Sequence, residues 1–118
     1  MLTHLRAAGE PVSSVVAYAR EGDTFVVSTP GMTFKRSAIA RDPRVNLCAI
    51  SNAEPFNFVA IEGTVDIQTT ELEDPTMAVF DAIAGTGYEP PEDLPAWLEQ
   101  QQRVILRIMP TRVYGVIR

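Results

Sequence analysis

The sequence predicts a mainly β protein with small α additions, folded as one six- to seven-stranded barrel over residues 1–118. Two observations lead to this prediction. Short apolar or alternating segments recur along the chain between turn residues, which is the pattern of strands. The helical candidates are few and do not alternate regularly with the strands, which disfavours a parallel α/β sheet. A chain of 118 residues is long enough for one hydrophobic core and too short for two.

The first strand candidates lie in the N-terminal third of the chain. "MLTHLRA" precedes the turn "AGEP", and "VSSVVAYA" runs through "REGD" into "TFVVST". The last two segments predict a hairpin with Gly22 in its turn, because glycine tolerates the backbone conformation that tight hairpin turns require. "RVNLCAIS" follows as the next strand.

The clearest strand pattern is "FNFVAIEGTVDIQ", in which apolar and polar residues alternate with a period of two. Val59, Ile61, Val65 and Ile67 share one face of this strand. Gly63 lies on the same face and indicates a bulge or a sharp bend of the barrel. The chain then ends in "RVILRIMP" and "RVYGVIR", which we predict to be two strands separated by Pro110.

Two helices are predicted between the strands "FNFVAIEGTVDIQ" and "RVILRIMP". "EDPTMAVFDAIAGTG" offers Asp74 as N-cap and Pro75 as the first helical residue, and Gly85 and Gly87 end it. "LPAWLEQQQ" is a second short helix, in which Trp97 is expected to be a packing residue.

A third helix, Thr33 to Arg41, contains an unusual cluster of basic residues. Lys35 is the only lysine of the chain, and Lys35 and Arg36 fall in the first helical turn. The helix dipole disfavours cations there, whereas an anion bound at the N-terminus would reverse that preference. Thr33 is the predicted N-cap. One interpretation is therefore an anion site, and the alternative is a solvated basic helix that pairs with acidic neighbours.

Other polar residues flank this helix. Ser28 and Thr29 lie at the end of the preceding strand, where their hydroxyl groups could donate to the same anion. Arg41 and Arg44 are farther from the helix N-terminus and are assigned to structure, and "DP" at residues 42–43 ends the helix.

The charge distribution excludes several classes of function. The net charge is −5, and no Lys or Arg occurs between Val45 and Gln102, so a broad nucleic-acid-binding surface is not expected. No apolar run is long enough to span a membrane. The single cysteine, Cys48, cannot form an internal disulfide, is expected to be a packed core thiol and suits a cytoplasmic protein. The single histidine, His4, is expected to be a structural or surface residue.

The order and wording of these segments resemble the pyridoxamine 5′-phosphate oxidase-like flavin and deazaflavin proteins, which have the split β-barrel fold. The resemblance is carried by "GEPVSSVV", by "STPGMTFKRSAIARDPRV" and by "EGTVDI", and it resumes weakly in "RVILRIMPTRVYGVIR". It implies a homodimer with cofactor sites at the subunit interface, each holding FMN or the 8-hydroxy-5-deazaflavin coenzyme F-420. The form "AIARDPRV" is closer to the deazaflavin-using branch.

The resemblance also implies roles for individual residues. The cofactor phosphate would be held by Ser28, Thr29 and Lys35, with Arg36 as a helper, and no metal is implied. The cofactor ring would lie against the second strand, along the backbone of Ser14, Val15 and Val16.

The function implied is an oxidoreductase that transfers a hydride between this cofactor and a small conjugated organic substrate. No catalytic residue is assigned, since no titratable side chain has a distinctive spacing. One alternative is a non-catalytic flavin, haem or tetrapyrrole binding protein, in which His4 or Met109 would be the haem ligand. Another is an inactive structural homodimer.

Overall fold

The structure is a computed structural model that describes residues 1–31, 34–51 and 57–116. Within these ranges the chain forms seven strands and three helices. In chain order they are β1 (Leu2–Leu5), β2 (Pro11–Ser14), β3 (Tyr18–Glu21), β4 (Thr24–Pro30), α1 (Phe34–Arg41), β5 (Arg44–Ile50), β6 (Phe58–Gln68), α2 (Glu73–Ala82), α3 (Leu94–Gln100) and β7 (Arg103–Val116). None of the helices in the described ranges is long and apolar enough to cross a membrane.

The strands form one antiparallel sheet in the order β2-β1-β5-β6-β7-β4-β3. One face of this sheet, here called the inner face, carries the main core, which α1 completes with Ile39. The other members of that core are Leu2, Val27, Val45, Leu47, Ile61, Val65, Val104, Leu106 and Ile108. The opposite, outer face packs against α2 through Ala19, Val26, Val79 and Ile105. The predicted split barrel, mainly β with small α additions, is confirmed.

The segment predicted as the single strand "VSSVVAYA" is two strands, and that prediction was wrong. β2 pairs with β1 at one edge of the sheet, whereas β3 pairs with β4 at the other edge. Residues 15–17 cross between the two edges, so the break is set by tertiary pairing that local alternation does not reveal. The hairpin that follows is confirmed, and Gly22 in its turn has a φ of 59°.

The predicted irregularity at Gly63 is confirmed, and it also explains why Pro110 does not interrupt β7. The register between β6 and β7 shifts between Glu62 and Gly63, so that Thr111 has no partner residue on β6. This is a β-bulge, where a residue without a backbone N–H is tolerated. The predicted division into two strands was wrong, since β7 runs continuously from Arg103 to Val116.

The helices agree with the sequence in position and differ at their ends. α2 begins at Glu73, so Asp74 lies in its first turn and is not the N-cap, and Leu72 occupies that place without a side-chain hydrogen bond. α3 begins after Asp93, whose carboxylate accepts a hydrogen bond of 3.2 Å from the Ala96 backbone N–H. The ring of Trp97 packs against Phe80 with a centroid distance of 5.8 Å, as a packing residue should.

α1 packs on the core through Ala38 and Ile39, which are buried. The predicted N-cap, Thr33, lies outside the described residues. Arg44 forms a two-bonded ion pair with Asp42 just after the helix, at 2.7 and 3.0 Å, which agrees with a structural role.

Cys48 is only half-buried on the outer face of β5, because the alternation of the strand gives the inner face to Val45 and Leu47.

Candidate functional site

The strand end that precedes α1 is held against the first residues of β7. Gly31 donates a backbone hydrogen bond of 2.7 Å to the Gln102 carbonyl oxygen. A Cβ atom at Gly31 would lie 2.3 Å from that oxygen, so the backbones approach too closely for any side chain here. Because Pro30 pairs with Arg103, the close approach also fixes where β7 begins.

A cavity of about 290 Å³ lies at this junction, and we call it the arginine cavity. Its lining residues are Gly31, Arg36, Gln102, Arg103 and Val104. Two arginine residues therefore line one small space in a protein whose net charge is −5. Such a space can hold an anion, because guanidinium donors match the oxygens of phosphate and carboxylate groups.

Arg103 is the more constrained of the two arginines. Its guanidinium carbon lies 4.3 Å from the ring centroid of Trp97, and its Nε donates a 2.8 Å hydrogen bond to the Gln101 side chain. Burial lowers the pKa of Arg103 below the ordinary arginine value. Within the described ranges it forms no ion pair, so an anion in the cavity would compensate its charge.

Lys35 and Arg36 are neighbours on α1 but serve different places. Arg36 lines the arginine cavity, and Lys35 is absent from its lining. Lys35 is half-buried, and burial lowers the pKa of its ammonium group. The side chain lies close enough to His4 on β1 to lower the pKa of that imidazole, an effect second to burial, with Arg6 contributing less. The helix thus brings a cation to each of two separate positions, whereas the sequence predicted one shared anion.

Ser28 and Thr29 are separated in the same way by the alternation of β4. Thr29 pairs with Val104 on the inner face and is 3% exposed, whereas Ser28 pairs with Ile105 on the outer face. The Ser28 hydroxyl oxygen is buried and makes no hydrogen bond within the described residues. Their side chains therefore do not converge on one group, and their role in holding a phosphate remains a prediction.

The predicted ring contacts lie at the sheet edge formed by β2. Ser14 ends this strand opposite Leu2, and its buried hydroxyl oxygen also makes no hydrogen bond within the described ranges. Val15 is 86% exposed, and Val16 packs against the inner core. An exposed apolar side chain beside an unsatisfied hydroxyl suits a surface that another group covers.

A second cavity, of about 300 Å³, lies on the outer face beneath α2 and α3, and we call it the helix cavity. Ser28 and Thr76 line it together with apolar and aromatic side chains of both helices, and Arg103 lies at its border with the arginine cavity. A third and larger space of about 730 Å³, next to the start of α2, carries four acidic residues, Glu71, Glu73, Asp74 and Glu99, so it is a poor anion site.

Sequence reasoning missed Arg103 and Thr76. A signal for Arg103 was present, since it is the first basic residue after Arg44 and begins a strand. Thr76 sits within a helix and offered no comparable signal. No group of three or more potential metal ligands occurs among the described residues.

Comparisons with known proteins agree with this fold. The family model described as pyridoxamine 5′-phosphate oxidase matches residues 1–117. No curated protein sequence matches the chain. Many solved structures match it, and three of low identity show the range of their descriptions. An F420 reductase is 24% identical with a TM-score of 0.76, and the match covers 96% of this chain and 86% of that one.

The other two similar structures bind different cofactors by their descriptions. A haem binding protein from Mycobacterium smegmatis is 21% identical, with a TM-score of 0.74 and coverage of 98% of this chain and 47% of that one. A FAD-binding protein from Mesorhizobium loti is 17% identical, with a TM-score of 0.69 and coverage of 97% and 81%. These identities show the fold alone. Because the family model spans nearly the whole sequence, the chain belongs to the pyridoxamine 5′-phosphate oxidase family.

Proposed function

We propose that this protein is an oxidoreductase that binds FMN or the 8-hydroxy-5-deazaflavin coenzyme F-420. The observation that carries the proposal is the arginine cavity, where Arg36 and Arg103 line one space of about 290 Å³. A cofactor phosphate is an anion of the size and geometry that two guanidinium groups bind well. Family membership and the similar F420 reductase support a cofactor of this type.

The residues present fit the phosphate-bearing end of such a cofactor. Arg36 and Arg103 would hold the phosphate. Lys35 does not line this cavity, and its part in phosphate binding is what the family resemblance implies. The Ser14 hydroxyl, which lacks a hydrogen bond within the described ranges, would gain a partner from a ring placed along residues 14–16. The bound ring supplies hydride transfer, and the protein's part is to orient it and keep a small conjugated substrate against it.

Salt dependence would distinguish the two cofactors. The deazaflavin coenzyme carries an oligoglutamate tail, whose charges would reach cations beyond the phosphate site. Arg41, which is exposed in the last turn of α1, would be a cation available to such a tail. A preference for the long-tailed coenzyme over FMN that falls as salt increases would support the deazaflavin.

The proposal also includes a homodimer that works in the cytoplasm. The family resemblance implies a cofactor site at each subunit interface, and this supports the dimer. A 13.0 kDa barrel with cavities of about 300 Å³ has little room to enclose a flavin alone. The exposed Val15 and the unsatisfied Ser14 are where a second subunit would complete the site.

The test is a fluorescence and thermal-shift titration of the full chain with FMN and the deazaflavin coenzyme. We expect micromolar or tighter binding of one of them and an increase in Tm, because a ligand that binds only the folded state stabilises it. Arg36→Gln and Arg103→Gln should each weaken binding about 10-fold or more, since each removes a charged hydrogen-bond donor. Lys35→Ala should weaken it as well.

Arg41→Gln is the matched control, because Arg41 lies on the same helix but does not line the arginine cavity. The affinity of the Arg41→Gln variant for FMN should equal that of the unmodified protein. Absence of binding by both cofactors would overturn the proposal, as would equal effects of Arg36→Gln and Arg41→Gln on FMN binding.

A second candidate is a non-catalytic haem or tetrapyrrole binding protein, and the similar haem binding protein favours it. His4 would be the ligand, but it is 2% exposed on β1 and would need the surrounding core to open. Haem titration should give a Soret band that His4→Ala abolishes if this candidate is right. A flavin bound at micromolar affinity with no Soret band on haem addition would exclude it.

A further inference from the structure

The helix cavity is a partly open pocket between the outer face of the sheet and the two helices that follow β6. Val79, Phe80 and Ile83 of α2 and Trp97 of α3 give it apolar and aromatic walls. Its volume is about 300 Å³, roughly twice that of an engineered apolar cavity that holds benzene. The space therefore fits one aromatic ring with a short substituent, or two fused rings.

Two hydroxyl groups on this wall lack partners. The oxygens of Ser28 and Thr76 are buried and make no hydrogen bond within the described residues, although both residues line the cavity. A helical threonine usually satisfies its hydroxyl on a carbonyl one turn earlier. Leaving a buried hydroxyl unpaired is unfavourable by about 1–3 kcal/mol. A ligand in the cavity that hydrogen-bonds both hydroxyl groups would remove this cost.

The third feature is a cation at one end of the cavity. Arg103 reaches it with its guanidinium stacked on Trp97, and within the described ranges this guanidinium has no ion pair. Burial lowers the pKa of Arg103, which is the sign of a charge that lacks compensation. The one carboxylate on the lining, Glu89, belongs to an exposed residue at the rim.

We propose that the helix cavity is a ligand site for a small aromatic carboxylate. The ring lies among Val79, Phe80 and Trp97, the carboxylate meets Arg103, and the hydroxyl groups of Ser28 and Thr76 bond the polar edge of the ligand. Because Ser28 is on the outer face and Thr29 on the inner face, this site is separate from the inner face of the barrel. The site shares Arg103 with the arginine cavity, but the inference does not rest on the proposed oxidoreductase activity.

The test uses trans-cinnamate as the probe and the neutral cinnamamide as its matched control. The full chain is titrated with each, without added flavin, by calorimetry and by the emission of Trp97, the only tryptophan of the chain. We expect cinnamate to bind and to change this emission. Cinnamamide should bind about 10-fold or more weakly, because it lacks the charge that Arg103 compensates.

Three variants locate the site. Arg103→Gln should weaken cinnamate about 10-fold or more and leave cinnamamide unchanged. Val79→Phe should fill the cavity and block both compounds. Thr76→Val keeps the shape of the side chain, so it should weaken cinnamate several-fold while raising the Tm of the free protein, because it removes an unsatisfied hydroxyl. Arg41→Gln, far from the cavity lining, is the control and should bind as the unmodified protein does.

The outcomes separate clearly. Binding that depends on Arg103, Val79 and Thr76 supports the proposal. The proposal is overturned by three results: no heat and no emission change at millimolar cinnamate, equal affinity for cinnamate and cinnamamide, or a Thr76→Val protein that gains Tm without losing affinity. If Val79→Phe does not fold, the affinity of Thr76→Val for cinnamate still tests whether the ligand binds in the helix cavity.

Discussion

The single histidine lies beside the single lysine of the chain, and this pair reports on the electrostatics of the barrel interior. Burial lowers the pKa of His4 below 6.5, and the cationic charges of Lys35 and Arg6 lower it further. The folded state therefore favours the neutral imidazole. The contribution of His4 to the free energy of unfolding is therefore fully present above pH 6.5. It is lost as the pH falls below that value, because the unfolded chain then binds the proton more readily than the folded chain does.

We predict that proton NMR will give a pKa for His4 below 6.5, and that Lys35→Met will raise it. The pKa should still remain below 6.5 in the variant, because burial is the larger cause and is unchanged. Arg41→Met is the control and should leave the pKa where it is. A pKa for His4 that does not change in Lys35→Met would contradict the placement of this lysine beside β1.

At the residue level, the sequence predicted one converging polar group, and the structure separates its members. The sequence indicated Ser28, Thr29, Lys35 and Arg36 as a polar group near one turn. Their side chains face different ways, because strand residues alternate between two faces and helix neighbours lie about 100° apart. Arg103 was missed because its contribution depends on the pairing of Pro30 with β7, which links residues far apart in sequence.

At the scale of elements, one side chain joins the β3–β4 hairpin to β6 and β7. The Arg107 guanidinium bonds Glu21 Oε1 at 3.0 Å, Thr24 Oγ1 at 3.0 Å and Gln68 Oε1 at 2.9 Å. The Arg107 and Glu21 side chains are 25% and 31% exposed, so solvent screens this ion pair only in part. These bonds connect strands at one edge of the sheet, where β3 is the edge strand and pairs only with β4.

We predict that Arg107→Gln will lower the free energy of unfolding by about 1–3 kcal/mol, since it removes charged hydrogen bonds. Arg112→Gln is the matched control on the same strand. It is exposed and lies near the Tyr114 ring, so it should change stability by less than about 0.5 kcal/mol. Urea unfolding of both variants measures the difference, and equal stabilities would rule out a tie between these elements.

The elements themselves were mostly predictable, because strand alternation and helix periodicity are local properties of the sequence. β6 and its irregularity at Gly63 followed from such a pattern. The path of residues 15–17 between the two sheet edges did not, since "VSSVVAYA" reads as one uninterrupted strand. Pro110 led to the wrong prediction of two separate strands for a related reason. A proline ends a regular strand, but the extra residue Thr111 makes a bulge that accommodates it.

At the scale of the whole molecule, an outer apolar surface lies at the last residues of β5, the first of β6 and the last of β7. Two cross-strand rows form it, one of Ile50, Phe58 and Val116, the other of Cys48, Ala60 and Tyr114, in which Ala60 is buried. Ile50 is 56% exposed, Val116 41% and Tyr114 40%. α2 packs against the opposite end of the sheet, on β3 and β4, and does not cover these rows. A row of exposed apolar side chains of this kind suits a protein interface.

We propose that a second copy of the chain covers this outer apolar surface, and we predict that Val116→Asp will weaken the dimer. A carboxylate buried at an interface without a partner is strongly unfavourable, so the variant should become monomeric at micromolar concentration in light-scattering measurements. Val116→Thr is the matched control, because threonine has nearly the same shape and also favours strands; it should remain a dimer. If the cofactor site needs both subunits, Val116→Asp should also lose FMN binding although Arg36 and Arg103 are intact. A monomeric unmodified chain would reject the dimer, and a monomeric variant that still binds FMN tightly would place the whole cofactor site within one subunit.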